Sequence, residues 1–328
     1  MPGTAQIQTA SETKLQREGS VDIRSRLDHA KVDRFCTALA VAIIRSKLAY
    51  PISRLNLPTL SRLAAVGGSV LARIAPDIKQ QMCASIRVSM PKLTPLEVEK
   101  IAQDSLSNLI LNSVIRMTLN YLPSSRFLSM FDTREFDRFA ELARTRMVVV
   151  VLSHFNSIAA FSLMSDLLRR AGVRGCGTFR MPPEFPETFK RRYRRRFFDY
   201  HEAWIDLNQD GKGASRRMIE YVGKAAGAVV IFGDYRHEPT PDDVPYRVGN
   251  ATFMANRGLK LMLESARDEA IVVPCTLLYE AGGFRLRCAP AVTRNEAMHS
   301  YYDSTIGESV MSAPGQWLLW YWADKLME

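Results

Sequence analysis

The chain has 328 residues, of which 47% are hydrophobic and 24% charged, a composition typical of a globular protein with one large domain or two closely packed ones. Its formal net charge of +10 favours an anionic partner, such as nucleic acid, an anionic membrane leaflet or an acidic carrier protein. The cysteines are odd in number and widely spaced, which argues against a disulfide framework and a structural zinc site: Cys36, Cys83, Cys176, Cys275 and Cys288.

The amino-terminal segment is polar. Residues 1–30 have no apolar period, so we expect a disordered tail there, and they lack the apolar core of a secretory signal. The apolar run Phe35–Ile44 is shorter than the ~20 apolar residues that a spanning helix needs. It fits an interfacial or core helix better than a spanning one, and a peripheral association with the membrane follows.

Residues 31–145 form a predicted helical region. Pro76–Met90 has a helical pattern, and a second helix begins at Thr94, where Glu97 completes a capping box around Pro95. The apolar spacing that follows predicts a helix up to about Asn120.

The pattern changes at residue 146, where the predicted second region, 146–328, begins. Met147–Leu152 is a continuous β-branched run of the kind found in strands buried on both faces. Further strands are predicted at 172–180, 228–232, 270–279 and 284–288, with a hairpin at 280–283 and helices at 157–170, 212–226 and 252–267. The predicted fold class is therefore α/β, a helical amino-terminal region followed by an α/β sandwich with a mixed central sheet.

Two polar residues follow buried strands in the same way. His154 comes just after Met147–Leu152, and Asp234 comes just after the strand at 228–232. Reactive groups collect at the carboxyl ends of strands in open α/β sheets, and a histidine there can take a proton from a hydroxyl or an amine. The alternatives are a structural, hydrogen-bonded histidine and an aspartate that closes a turn.

A dense basic run is the third feature. Lys190–Arg196 holds six cations in seven residues and is flanked by phenylalanines, which suits phosphate groups on a lipid, on a carrier arm or on nucleic acid. A solvated helix face is the alternative. Nucleic acid is not expected as a partner because no recognised nucleic-acid motif accompanies the run.

The carboxyl-terminal segment concentrates three of the four tryptophans, Trp317, Trp320 and Trp322. It fits a terminal helix that docks aromatic side chains into the core, an aromatic belt at a membrane interface, or both. Motifs for phosphate loops, dinucleotide binding, serine hydrolases and zinc proteases do not occur.

Taken together, several segments resemble the lipid A biosynthesis acyltransferases, of the glycerolipid-acyltransferase-like type. Val149–Ala159 is similar to that family's strand followed by a histidine, four residues and an acid, and Ile231–His237 is similar to its later strand followed by an aspartate. Pro314–Trp317 resembles its carboxyl-terminal signature. The resemblance extends from about residue 35 to the end of the chain.

The resemblance implies an acyltransferase that moves a fatty acyl chain from acyl carrier protein or coenzyme A to a lipid-like acceptor. It implies His154 as the general base and Asp234 as a supporting catalytic residue, with no metal and no redox cofactor. Acyl carrier protein, an anionic membrane surface and a lipid or small-molecule acceptor are the implied partners, at the cytoplasmic face of the inner membrane. The residues implied to bind substrate are Asn156, Arg180, Arg194, Arg195, Arg196 and Arg236.

The sequence departs from the family pattern at one position. The acid of the histidine motif falls at position 159, where the chain has Ala159. In a catalytic triad, losing the carboxylate that orients the histidine costs about 10⁴ in rate. Three consequences are open: a replacement carboxylate such as Glu184, Glu187 or Asp199, an amine acceptor, or a protein that has lost catalysis and binds an acyl carrier or a lipid.

Overall fold

The computed structural model describes residues 29–235, 240–255, 257–294, 296 and 306–327. The tail prediction for residues 1–28 lies outside the described residues. Residues 29 and 30 belong to the first helix, so the helical region begins slightly before residue 31.

Seven helices and one short strand make up the first part of the described chain. They are α1 (His29–Arg45), α2 (Ala49–Ile52), α3 (Leu57–Ile74), α4 (Pro76–Ser89), α5 (Pro95–Thr118), α6 (Ser124–Leu128), β1 (Phe131–Asp132) and α7 (Arg134–Leu142). The capping box predicted at Thr94 and Glu97 is present at the start of α5, and this helix ends two residues before the predicted Asn120.

Two glycines let α3 and α5 pack closely. A Cβ on Gly68 would lie 2.7 Å from the backbone nitrogen of Ser107, and one on Gly67 would lie 2.9 Å from a side-chain carbon of Ile110. Only a residue without a side chain allows this approach of the two backbones. The glycines therefore hold α3 against α5.

The second part of the chain alternates strands and helices. It contains β2 (Met147–Leu152), α8 (Ser157–Arg170), β3 (Gly175–Phe179), α9 (Glu187–Phe197), β4 (Ala203–Asp206), α10 (Leu207–Val222), β5 (Gly227–Phe232), β6 (Val244–Val248), β7 (Ala251–Ala255), α11 (Gly258–Ser265), β8 (Ile271–Glu280), β9 (Gly283–Cys288), β10 (Val292–Thr293), α12 (Glu308–Ser312) and α13 (Ala323–Leu326). Two short 3₁₀ turns, Pro314–Gln316 and Leu318–Trp322, precede α13.

The main sheet has eight strands, in the order β1-β9-β8-β2-β5-β3-β4, with β10 paired to β8. Strands β8, β2, β5, β3 and β4 run parallel to their neighbours in that order, whereas β9 and β10 pair antiparallel with β8. This mixed sheet behind a helical region confirms the predicted fold class, and the β8–β9 hairpin lies where it was predicted. The division of the chain near residue 146 stays a prediction.

Part of one predicted helix is wrong. The segment predicted as a helix at 252–267 begins with β7, which pairs with β6 in a separate two-stranded ribbon, and α11 begins only at Gly258. The turn between the strands holds Gly249 in the left-handed region, at a φ of 59°. The dipeptide Gly249-Asn250 between two alternating apolar runs is the hairpin signal that identifies this ribbon in the sequence.

Candidate active site

The sheet brings His154 and Asp234 together. Strands β2 and β5 are parallel neighbours, and their register pairs Leu152 with Phe232, the last residue of each strand. His154 and Asp234 each lie two residues beyond these paired positions, at the same edge of the sheet. The parallel register thus makes the two side chains neighbours although 80 residues separate them in sequence.

Asp234 is fully buried and fixes the histidine in two places. Its Oδ1 lies 2.6 Å from His154 Nδ1, and its Oδ2 accepts a hydrogen bond of 2.7 Å from the His154 backbone N–H. The indole Nε1 of Trp317 donates a further bond of 3.0 Å to Oδ2. An ionised carboxylate only accepts hydrogen bonds, so Nδ1 carries the proton of the neutral ring. Nε2, which has no hydrogen-bond partner within the described chain, is left to act as a base.

The carboxyl-terminal segment locks the backbone around the histidine. The N–H of Leu318 donates to the carbonyl oxygen of His154 at 3.0 Å, and Phe155 pairs with Trp317 in an isolated antiparallel bridge. The same segment therefore holds both the carboxylate and the main chain of the histidine. This is a concrete role for the tryptophan-rich terminus, which the sequence placed either in the core or at a membrane.

Asn156 turns the chain from β2 into α8. It adopts the left-handed conformation, with a φ of 49° and a ψ of 42°, which asparagine tolerates better than most residues. Its Nδ2 donates to the carbonyl oxygen of Leu277 at 3.1 Å, and its buried Oδ1 has no hydrogen-bond partner within the described chain. Asn156 thus shapes the turn and lies outside the cavity described below, where the resemblance implied a substrate contact.

The helix that follows the turn is held from the long helix α5. The amide of Asn112 is buried, and its Oδ1 accepts a hydrogen bond of 3.2 Å from the N–H of Ile158, in the first turn of α8. The first N–H groups of a helix have no partner within the helix itself. Asn112 satisfies one of them and joins α5 to α8, the helix that follows His154.

His154 opens onto a cavity of about 1020 Å³. Its side chain is 21% exposed, and its ring lies 4.5 Å from that of Phe232 and 5.6 Å from that of Tyr235, measured between centroids. The apolar part of the wall comes mainly from α8, β5, α10 and α11, and includes Phe161, Met218, Ile219, Ile231, Leu261 and Met262. The polar part comes mainly from α1, α5 and the carboxyl terminus, and includes Asp33, Ser113, Arg116 and Tyr321.

The basic residues of the sequence prediction fall into different places. Arg180 is exposed and lines the cavity. Arg194, Arg195 and Arg196 lie outside the cavity wall, because α9 buries Tyr193 and Phe197 against the core. Arg236 lies outside the described residues.

Arg196 has a structural role. Its Nη1 donates to the carbonyl oxygen of Leu119, just beyond the end of α5, and its guanidinium lies 4.8 Å from the centre of the Phe197 ring. Burial lowers the pKa of Arg196. The side chain therefore ties α9 to the end of the long helix, where the resemblance implied phosphate binding.

Position 159 does not face the cavity beside His154. Ala159 is completely buried in the first turns of α8 and lies outside the cavity wall. The carboxylate beside the histidine is Asp234 rather than Glu184, Glu187 or Asp199. Glu187 instead pairs with Lys190 at 2.8 Å, and Glu184 lies on the cavity wall.

Sequence reasoning missed three polar residues of this region. Asn112 and Arg116 stand one turn apart on the cavity face of α5, and polar residues at this spacing in a helix with a clear apolar period were the available signal. The indole of Trp317 reaches Asp234 from 83 residues away, and no local pattern encodes that contact.

The comparison with protein families agrees with this architecture. The family model described as "Bacterial lipid A biosynthesis acyltransferase" matches residues 32–322, which is most of the chain. No curated protein sequence matches the chain significantly. With the match covering the helical region, the strand before His154 and the tryptophan-rich terminus, the chain belongs to the bacterial lipid A biosynthesis acyltransferase family.

Proposed function

We propose that this chain is an active acyltransferase that moves a fatty acyl chain from an acyl carrier protein or coenzyme A thioester to a hydroxyl or amine of a lipid-like acceptor. Membership of the family supports acyl transfer to a lipid. The observation that carries catalytic competence is the pair formed by His154 Nδ1 and Asp234 Oδ1, 2.6 Å apart, with His154 on the cavity wall. This pair supplies an oriented base in spite of Ala159.

In the proposed reaction, His154 Nε2 takes the proton from the acceptor hydroxyl or amine as it attacks the thioester carbonyl carbon. The new C–O or C–N bond forms a tetrahedral intermediate, whose collapse breaks the C–S bond and returns the proton to the leaving thiolate. Asp234 stabilises the imidazolium that forms in between. Arg180, on the cavity wall, is the proposed donor to the oxyanion.

The apolar part of the cavity is the proposed place of the acyl chain. The Phe232 ring lies against the histidine, with its centroid 4.5 Å from that of His154, and Phe161 packs beside Phe232. The helices α10 and α11 continue the apolar wall. Ligand cavities commonly measure ~300–1,000 Å³, so this one is at the large end of the range. That size suits a long chain together with part of its acceptor.

We also propose that the protein works at an anionic membrane surface. No helix of the described chain is long and apolar enough to span a bilayer. On α3, however, an exposed stripe runs along one face at spacings of three and four residues: Leu63, Val66, Val70 and Ile74, which are 53%, 64%, 44% and 58% exposed. The exposed cations Arg62 and Arg73 lie on the same helix, and the chain carries a net charge of +10, which together favour anionic lipid.

The experiment is a transfer assay with purified protein, radiolabelled lauroyl-acyl carrier protein or lauroyl-coenzyme A, and a bacterial membrane extract as acceptor. Wild-type protein should label a lipid, and His154→Ala should abolish the labelling. Arg170→Gln, an exposed change at the far end of α8, is the control and should label normally. Labelling that persists in His154→Ala defeats the proposed role of the histidine.

Ala159 favours one alternative from another class: a family member without catalysis that binds an acyl carrier protein or a lipid. The same experiment separates the two functions. If wild-type protein binds acyl carrier protein in a pull-down but labels no lipid with either donor, the binding function holds and the catalytic one fails.

A further inference from the structure

A single arginine of the long helix faces the cavity. Leu109, Asn112, Ser113 and Arg116 line it from α5, at the spacing of one helical face. Arg116 is therefore the cation that α5 contributes to the cavity wall.

The guanidinium of Arg116 has neither an ion pair nor a hydrogen bond within the described part of the chain. The ionisable groups close enough to influence it are Tyr193, Cys36, Asp33 and Tyr321. Asp33 is the one carboxylate among them, but it is exposed, and its Oδ1 accepts a hydrogen bond of 3.3 Å from the Tyr321 hydroxyl. Solvent screening weakens its attraction for Arg116.

Other half-buried arginines have partners. Arg196 donates to the carbonyl oxygen of Leu119, and Arg294 pairs with Asp268 at 2.7 Å. Arg116 is half-buried, and a cation that loses part of its hydration without gaining a partner is destabilising. Burial accordingly lowers the pKa of Arg116. A charge kept at this cost on the wall of a substrate cavity needs an anionic partner from the ligand.

We infer that Arg116 binds a phosphate group of one of the two substrates. The inference rests on the proposed function, in which an acyl thioester and a lipid-like acceptor are the substrates. In a thioester the carboxyl group of the acyl chain carries no charge, so it cannot be the anion that Arg116 binds. The anions left are the phosphate of the donor's pantetheine arm and a phosphate on the acceptor headgroup. A planar guanidinium binds two phosphate oxygens at once, which makes arginine a strong ligand for this group.

Two pairs of small ligands separate these sources. The donor pair is lauroyl-4′-phosphopantetheine and lauroyl-pantetheine, and the acceptor pair is 1-lauroylglycerol-3-phosphate and 1-lauroylglycerol. The members of each pair differ only in the phosphate. Their dissociation constants are measured by titration calorimetry, below the concentrations at which they aggregate, with wild type, Arg116→Gln, Arg116→Lys and the control Arg170→Gln.

With wild type and Arg170→Gln, the phosphate should tighten binding in one pair by about 10–100-fold, the value of a hydrogen-bonded charge pair. Arg116→Gln should remove that difference and leave binding of the phosphate-free member unchanged, while Arg116→Lys keeps part of it. The pair that responds identifies the source. If the phosphate gives no advantage in wild type, or if the advantage survives in Arg116→Gln, the inference is overturned.

This result is independent of the transfer assay. A protein that transfers acyl chains but shows no Arg116-dependent preference for phosphate keeps its proposed function and loses this subsite. A thermal melt of each variant shows whether it is folded. A variant that does not fold is replaced by Arg116→Met, which keeps much of the side chain's length without its charge.

Discussion

Asp234 holds both the ring and the backbone of His154: one carboxylate oxygen lies 2.6 Å from Nδ1, and the other accepts the backbone N–H at 2.7 Å. A single residue thus fixes the ring's orientation, its tautomer and the position of its main chain. In the family's motif the acid lies on the helix that follows the histidine, at the position of Ala159. Here the neighbouring strand supplies the carboxylate instead.

The first prediction concerns this carboxylate. Asp234→Asn should lower kcat by about 10²–10⁴, because an amide holds the imidazole in the wrong tautomer and does not stabilise the imidazolium. KM should change little, since Asp234 is buried and outside the cavity wall. Steady-state kinetics with a fixed acyl thioester donor measures both constants. An Asp234→Asn enzyme with wild-type kcat would show that another group orients His154.

We expect Trp317 to support catalysis through the hydrogen bond that its indole N–H donates, rather than through the packing of its ring. Trp317→Phe keeps an aromatic ring but removes the bond of 3.0 Å to Asp234 Oδ2, and should lower kcat by about 10-fold or more. The matched control is Trp320→Phe, which removes an indole bond to the carbonyl oxygen of Pro314 instead. Equal losses of kcat in the two variants would reduce the role of Trp317 to stability of the terminal segment.

Introducing a glutamate at position 159, where the family motif has its acid, should not raise the transfer activity. Ala159 is fully buried, so Ala159→Glu puts a larger, charged side chain into a closed space, and His154 Nδ1 is already bound to Asp234. The expected outcome is unchanged or lower transfer together with a loss of stability of about 1–3 kcal/mol or more. Transfer assays and denaturant unfolding measure the two effects. A large gain in transfer would mean that Asp234 is a poor substitute for the missing acid.

The sequence predicted the pair but not its surroundings. Continuous β-branched runs identified β2 and β5 as buried strands, and parallel strands end at one edge, so the meeting of His154 and Asp234 could be anticipated. The contacts from Trp317 and Asn112 depend on how distant segments pack, which periodicity does not encode. The short edge strand β4, at Ala203–Asp206, was missed because four residues carry too little pattern.

The basic run shows how charge can mislead. The six cations at 190–196 suggested a site for phosphate groups. Phe189, Tyr193 and Phe197, however, recur every four residues and form the buried face of α9. This apolar period fixes which way the helix faces and keeps Arg194–Arg196 off the cavity wall. Arg116, the single arginine on α5 and not part of a charge run, faces the cavity instead.

The apolar stripe on α3 should bind anionic vesicles. The double variant Leu63→Glu/Val70→Glu should weaken binding to vesicles of phosphatidylglycerol and phosphatidylcholine by at least 10-fold, since it removes two exposed apolar contacts and adds negative charge. Leu142→Glu, at a 36% exposed position on α7, is the control. Vesicle co-sedimentation gives the affinities. Equal binding by wild type and the double variant would place the membrane contact on another surface.

The last prediction concerns stability in acid and depends on His201. Its Nδ1 accepts the N–H of Gly175 at 3.0 Å and its Nε2 lies 3.0 Å from Ser165 Oγ, an arrangement that fits the neutral ring. Burial lowers the pKa of His201 from 6.5 to about 4. The unfolded chain therefore binds a proton that the folded chain does not as the pH falls below 6.5, and stability is lost progressively down to about pH 4.

That loss amounts to about 3 kcal/mol at pH 4, from ~1.4 kcal/mol for each unit of pKa difference. His201→Gln removes the titrating group, so the variant should be less stable than wild type at pH 7 and approach it as the pH falls. Urea unfolding at pH 7, 5.5 and 4.5 measures both curves, and the difference between them cancels the carboxylates that also titrate in this range. Parallel curves would show that His201 takes up its proton as readily in the folded chain as in the unfolded one.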